Sequence, residues 1–414
     1  MRKHAPMHHF PKFQSVRNSF RELTRAHPFG LSALVIGGAL LGAGIAFFPT
    51  SYEIRGLLSG ASMSVDTDAE NMVPEEKVTH LSVPDAVKAL YMTSWVAGTP
   101  KWRANLANIV EETELNAIVI DVKDYTGRLS FKTGNKFLDE LGVSEARIPD
   151  IKKFIAGLHE KGIYAIARIT VFQDPFFAEK RPDLAVLKES DKTLWADYKG
   201  LHYLDPGAQE VWDYTVLIAK EAYAVGFDEL NFDYIRFPSD GNMKDVYFPW
   251  SEERVTGDPD YWKAKVLRDF FAYLHAELLG IGAPLSADLF GMTTTNVDDL
   301  NIGQVLEYAA PYFDYLAPMV YPSHYPTNFI GFANPADKPY EVVRYSMDRG
   351  VAKLVAAGFA RAKLRPWLQD FDYKAVYDAP EVRAQIQAVY DAGLDSWMLW
   401  DAGNRYTRDA LVAE

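Results

Sequence analysis

Asn231-Phe232-Asp233-Tyr234-Ile235-Arg236-Phe237-Pro238 is the stretch whose reading decides the fold. Its β-forming residues extend an apolar run until Asp233 and Arg236 bring charge, and Pro238 then forbids further ladder pairing. A buried strand that ends in charge fits a parallel barrel, where chemistry is done at the C-terminal ends of the strands. Asp233 is therefore the first candidate for catalysis. The plainer alternative is a strand-end ion pair between Asp233 and Arg236.

The same alternation recurs on both sides of this stretch. Strands are expected at 87–95, 117–124, 164–172, 229–237, 284–290, 315–321, 366–371 and 396–401. Helical patterns fall at 102–114, 150–161, 208–225, 261–279, 340–357 and 380–392, with a shorter link at 302–310. Gly162, Gly226, Gly282 and Gly393 close helices just before strands. Eight strand–helix units predict an α/β chain folded as a (β/α)8 TIM barrel, with an open doubly wound sheet as the alternative.

Upstream, residues 31–48 read LSALVIGGALLGAGIAFF, free of charge and followed by Pro49. A membrane helix needs about 20 apolar residues, with a lower limit of roughly 17. Before Gly30 stand Arg2, Lys3, Lys12, Arg17, Arg21 and Arg25 against Glu22 alone, so the N-terminus is expected in the cytoplasm and the rest outside. The long leader and the lack of a small-x-small cleavage site favour an uncleaved anchor over a signal peptide. Gly38 and Gly42 have a spacing that would permit weak self-association of that helix. The chain thus divides into a basic cytoplasmic tail (1–30), a transmembrane anchor (31–48), a polar flexible linker (49–83) and a barrel (84–414).

Composition narrows the chemistry. The formal net charge of −13 argues against nucleic acid as a partner. The chain has 0 cysteines, which excludes disulfides and thiolate chemistry. His80, His159, His202, His275 and His324 form no HxH or HExxH pattern, so neither zinc nor any other cofactor is expected, although carboxylates alone could hold magnesium or calcium. No GxSxG elbow is present.

What remains is a set of polar strand ends: Asp121 and Lys123, then Arg168, Asp233 with Arg236, Asp288, Tyr321 with His324, Gln369 with Asp370, and Trp400 with Asp401. Two carboxyl groups suffice to hydrolyse a glycosidic bond, one protonating the leaving oxygen and the other attacking the sugar or activating water. Asp233 and Asp288 close consecutive strands and are assigned as nucleophile and acid/base, with Asp401, Asp121 and Asp370 in reserve. Lys123, Arg168, Arg236, Tyr321, His324, Asp370 and Trp400, together with Asp121, are the expected substrate-binding residues. Lys123 reads equally as an ion-pair partner of a crowded acidic rim, and Arg236 has the same plainer alternative. Trp95, Trp195, Tyr198, Tyr203, Trp250 and Tyr325 also follow strand ends, where aromatic rings can stack on sugar faces.

The ordered motifs DVKD, NFDYIRFP, SADLFG, APMVYPSHY and WLQDF make residues 87–401 resemble the putative glycosyl hydrolase family known as domain of unknown function 4015, a relative of the alpha-amylase-like barrels. The resemblance implies glycosidase activity. It places Asp233 where related barrels carry their nucleophile and Asp288 where they usually carry a glutamate acid. Because this chain has aspartate there, Glu307 and Asp401 stand as alternative acids. The expected protein is a membrane-anchored, exported glycosidase acting on a surface or environmental polysaccharide. A non-catalytic carbohydrate-binding barrel and a structural envelope protein with a protein partner are the alternatives.

Overall fold

The computed structural model describes residues 78–254 and 262–413. Eight strands, β1 (Lys88–Met92), β2 (Ala117–Lys123), β3 (Tyr164–Thr170), β4 (Glu229–Asp233), β5 (Leu285–Phe290), β6 (Tyr315–Met319), β7 (Trp367–Gln369) and β8 (Trp397–Trp400), form one closed barrel. Each pairs in parallel with the next, and β8 returns to β1 through Lys88–Trp397 and Leu90–Leu399. Closure excludes the open sheet.

The outer ring comprises α1 (Pro100–Glu111), α2 (Ile151–His159), α3 (Gln209–Ala224), α4 (Trp262–Leu278), the short α5 (Leu306–Ala309), α6 (Pro339–Ala356) and α7 (Ala379–Asp391). These lie within a few residues of the positions expected from periodicity. Helix starts are explicable locally: Pro100 and Pro339 occupy the first turn, where a missing N–H costs nothing, and Asp378 with Glu381 forms a capping box.

Two apolar clusters explain why the strands read as unbroken hydrophobic runs. One, with Leu90, Ile118, Ile120, Phe232 and Leu289, lies between strands and helices. The other, with Ala89, Tyr91, Val119, Ile166, Trp367 and Met398, fills the barrel. Successive residues alternate between the two, so both strand faces are buried. At the N-terminal end of the barrel Arg365 Nη1 donates to Glu229 Oε1 at 2.8 Å, and the Tyr164 hydroxyl donates to Glu229 Oε2 at 3.3 Å.

Several boundaries differ from expectation; the first strand, for one, ends at Met92 rather than 95 because Ser94–Ala97 turns helical. The fourth strand stops at Asp233 rather than 237, because Tyr234 adopts a φ of +52° and turns the chain out of the ladder. Arg236 therefore sits in a loop. The linker is also shorter than expected: residues 78–83 lie on the barrel, where the Leu81 N–H donates to Asp228 Oδ1 at 2.6 Å and His80 stacks on Tyr223 at 3.9 Å. The expected tail, the anchor at 31–48 and the rest of the linker lie outside the described residues. Among the described residues, no helix is long and apolar enough to cross a membrane.

Candidate active site

Strand register brings the two principal acids together. Asn231 on β4 faces Ser286 on β5, so two residues further along each strand Asp233 and Asp288 emerge side by side on the inner face. On the other side of β4, Arg168 of β3 is in register with Asn231.

Arg168 is the hub of this cluster. Its Nε donates to Asp233 Oδ2 at 3.1 Å, its Nη2 donates to the same oxygen, and its Nη1 donates to Asp121 Oδ1 at 2.6 Å. Asp288 Oδ2 lies 3.7 Å from Nε. One guanidinium thus faces three buried carboxyl groups. Burial opposes its charge, but Asp233 and Asp121 outweigh that effect and hold it protonated.

Since one cation cannot balance three carboxylates in a dry site, protons must be retained. Burial raises the Asp121 carboxyl, which also accepts from the Tyr91 hydroxyl at 2.5 Å. Burial, and then the proximity of Asp233, pushes Asp288 up to about 8. Asp288 Oδ1 accepts from Asn231 Nδ2 at 2.9 Å and Trp367 Nε1 at 2.7 Å, leaving Oδ2 as the place for the proton. At neutral pH Asp288 is an acid that can give up a proton. Gln304 holds the ends of both strands: its Oε1 accepts from Phe290 N at 2.7 Å and its Nε2 donates to Ile235 O at 3.3 Å.

The raised value has a direct consequence for stability. A carboxyl whose folded value lies above its unfolded value near 3.8 stabilises the fold fully below that value, and the contribution is lost as pH rises through about 8. Wild-type thermal midpoints are therefore expected to fall between about pH 4 and pH 8 relative to Asp288→Asn. Parallel melting curves over that range would contradict the assignment.

The cluster forms the floor of a cavity of about 350 Å³ lined by Asp233, Asp288, Arg168, Tyr321, His324 and Trp400, with Tyr234, Arg236, Lys199 and Tyr325 also in its lining. Trp400 stacks on Tyr91 with ring centroids 3.9 Å apart and meets Trp367 edge-on at 5.6 Å. Burial lowers the affinity of His324 for a proton, so a neutral imidazole faces Tyr321 at 5.4 Å. Gly291 also lines this space, and a Cβ there would run into the Met319 carbonyl and approach the Tyr325 hydroxyl at 3.0 Å. Gly291→Ala is expected to cost about 1–3 kcal/mol in urea denaturation by pushing β5 away from β6. A loss below a few tenths would mean the backbone yields freely.

Other expected site residues lie elsewhere. Lys123 is paired with Asp174 at 2.8 Å and donates to Thr170 O at 2.6 Å, because the β2–β3 register shifts between Asp121 and Lys123. That is its ion-pair reading. Arg236 bonds the Phe237 carbonyl and Ser239 rather than Asp233, so the proposed strand-end pair is replaced by Arg168–Asp233. Asp370, pushed up to about 6 by burial, accepts from Thr407 N at 3.0 Å and Thr407 Oγ1 at 2.6 Å. Asp401 caps its own turn through Gly403 N at 3.1 Å and Arg405 N at 2.6 Å, and Glu307 is paired with Lys353 at 3.2 Å. None of these five except Arg236 reaches the cavity lining. Asp121 stands behind Arg168. Of the other aromatics, Trp195 and Tyr203 are packed in the core, whereas Trp95, Tyr198 and Trp250 are exposed.

Sequence reasoning missed Asn231, Trp367, Tyr91 and Lys199. Asn231 carried a usable signal, being the polar residue two positions before Asp233 and therefore on the same strand face. No such signal marks Lys199. As for metal, among the described residues no group of three or more acids or histidines gathers into a cation site. Within the carboxylate cluster the central place belongs to the Arg168 guanidinium, so these acids do not fit a magnesium or calcium ion.

A closed parallel barrel with paired acids at the C-terminal ends of neighbouring strands is an architecture suited to cleaving glycosidic bonds. The chain belongs to the putative glycosyl hydrolase domain family, domain of unknown function 4015, which matches residues 89–406. That membership makes it a glycosidase by family. The PgaB (BpsB) glycoside hydrolase domain from Bordetella bronchiseptica shares its fold, with 15% identity, a TM-score of 0.56 and coverage of 77% of this chain and 94% of that one. A hypothetical protein from Ruminiclostridium thermocellum is 33% identical over 48% of this chain and 96% of its own, with a TM-score of 0.43. The alpha-galactosidase TtGalA from Thermus thermophilus is 14% identical over 79% and 60%, with a TM-score of 0.47. No curated protein matches the chain.

Proposed function

We propose that the barrel hydrolyses O-glycosidic bonds of a polysaccharide, with Asp233 as nucleophile and Asp288 as general acid/base. The observation that carries this reading is the unequal environment of two neighbouring carboxyl groups: Asp233 bonds directly to the Arg168 cation, whereas Asp288 stands 3.7 Å from it, takes its hydrogen bonds from the neutral Asn231 and Trp367, and is pushed up to about 8. Asp288 delivers its proton to the glycosidic oxygen as Asp233 attacks the anomeric carbon. Deprotonated Asp288 then draws a proton from the water that releases the sugar from Asp233. The paths from Arg168 Nε to the two Oδ2 atoms, 3.1 Å and 3.7 Å, bound their separation. Laid end to end they contain the roughly 5 Å of a retaining pair and exclude most of the range above about 6.5 Å used for inversion. Trp400 and Tyr321 supply ring surface for the sugar.

The basic tail and the apolar segment at 31–48 support an anchored enzyme whose barrel faces outward, where large glycans are encountered. The test is release of new reducing ends by the full-length chain from a panel of cell-wall and exopolysaccharide glycans. Release that disappears in Asp233→Asn supports the assignment, and release by both proteins moves the nucleophile elsewhere. Binding without release by the wild type favours a carbohydrate-binding barrel.

A further inference from the structure

The cavity has a charge character that the chain as a whole lacks. The protein carries a formal net charge of −13, yet the cavity lining presents Arg168, Lys199 and Arg236 against only Asp233 and Asp288. Arg168 is fully engaged by the buried acids. The other two cations are not. Arg236 Nη1 donates to the Phe237 carbonyl and to Ser239 Oγ, each at 3.1 Å, and both acceptors are uncharged. The guanidinium carbon lies 5.1 Å from the ring of Tyr234, which also lines the cavity. Among the described residues, neither Arg236 nor Lys199 makes a side-chain ion pair with a carboxylate.

Acids do stand near them, in the same loop region. Asp197 Oδ1 accepts from the backbone N–H groups of Lys199 at 2.8 Å and Leu201 at 2.9 Å, and Asp240 Oδ1 accepts from Tyr198 N at 3.4 Å. These bonds shape the turn that presents Lys199. The adjoining wall includes Phe290, Met292 and Met319. The cavity is thus cationic on the side of the loops that follow β3 and β4 and apolar on its β5–β6 side. In a cleft with low-dielectric walls such charges act over a longer range than on open surface.

We infer that Lys199 and Arg236 form a subsite for an oxyanion on the sugar ring at or beside the scissile bond, so that the substrate is an acidic glycan bearing uronate carboxylates or sulfate esters. The inference deepens the glycosidase reading of this cavity and rests on it. A planar carboxylate or one face of a sulfate can take two N–H donors from Arg236 while Lys199 adds a third. A neutral sugar offers neither cation a charge-assisted hydrogen bond.

Binding tests this separately from turnover. In full-length Asp233→Asn protein, calorimetry compares oligogalacturonates with their carboxyl-reduced counterparts, and chondroitin sulfate oligosaccharides with desulfated ones. The acidic member of at least one pair is expected to bind about tenfold or more tightly than its neutral or desulfated partner. Raising the salt should erode that preference. Lys199→Ala combined with Arg236→Ala is expected to abolish it, and Lys199→Arg with Arg236→Lys to retain most of it. Both side chains reach solvent, so an unchanged thermal midpoint confirms that the fold is intact. Which pair responds distinguishes carboxylate from sulfate. Equal affinity within both pairs, a preference that survives the alanine variant, or no binding of any acidic oligosaccharide overturns the subsite. Cleavage of neutral glycans without acidic preference leaves the glycosidase reading standing alone. Acidic preference in a protein that cleaves nothing overturns that reading instead.

Discussion

Asp233→Asn is expected to lower kcat by at least ~10³-fold while leaving glycan affinity within a few-fold of wild type. The substitution is nearly isosteric, and its amide oxygen can still accept from Arg168, so the shape of the cavity floor persists. What disappears is, among the described residues, the only carboxylate that both lines the cavity and hydrogen-bonds to the Arg168 cation. An amide cannot attack an anomeric carbon productively, and it carries no negative charge to stabilise a developing oxocarbenium ion. Removing one of three crowded acids also relieves repulsion around a single guanidinium, so stability should hold or rise slightly. Initial rates of reducing-end release, measured beside binding and melting curves, read all three quantities. Loss of activity together with loss of affinity and stability would point to a structural role for Asp233.

The second large effect is on the fold. Arg168→Met is expected to destabilise the barrel by about 3–5 kcal/mol at neutral pH, because it leaves buried acids without their shared cation. The side chains of Arg168, Asp121, Asp233 and Asp288 are all at least nine-tenths buried, so water cannot replace the guanidinium. The sign of the pH dependence separates charge from packing. Without the cation the values of Asp121 and Asp288, already raised by burial, climb further above those of the unfolded chain. Stability is then fully present below the unfolded values near 4 and is lost as pH climbs. Urea denaturation should accordingly show a smaller deficit at about pH 4.5 than at about pH 7.5. A deficit independent of pH would assign the loss to the cavity left by the side chain. Pairing Arg168→Met with Asp121→Asn should recover part of it.

The sequence was most legible where the physics is local. An alternation of short apolar runs and amphipathic segments marked all eight strands, because both faces of a barrel strand are buried and each strand is closed by turn-forming residues. Asp233 and Asp288 stood out as charge at the ends of such runs. Reading failed where one residue's backbone changed the count. The register shift in β2 sends Lys123 to Asp174, and the positive φ of Tyr234 takes Arg236 out of the strand. Asp370 and Asp401 looked equivalent to the others, yet each is held by N–H groups of the loop after β8, a local use of carboxylates that resembles a catalytic one in sequence.

By itself, then, the sequence determined the eightfold repeat and the identity of the acids at its strand ends. Hydrophobic periodicity is a property of neighbouring residues and needs no knowledge of what lies across the sheet. Only the tertiary structure decided that Arg168 is shared by Asp121, Asp233 and Asp288, and that Lys199 arrives at the same cavity from a distant turn. Those partnerships depend on strand register and barrel closure, which bring together residues far apart in the chain. They also set the protonation of Asp288, because a carboxyl buried beside another carboxyl takes its charge state from its surroundings.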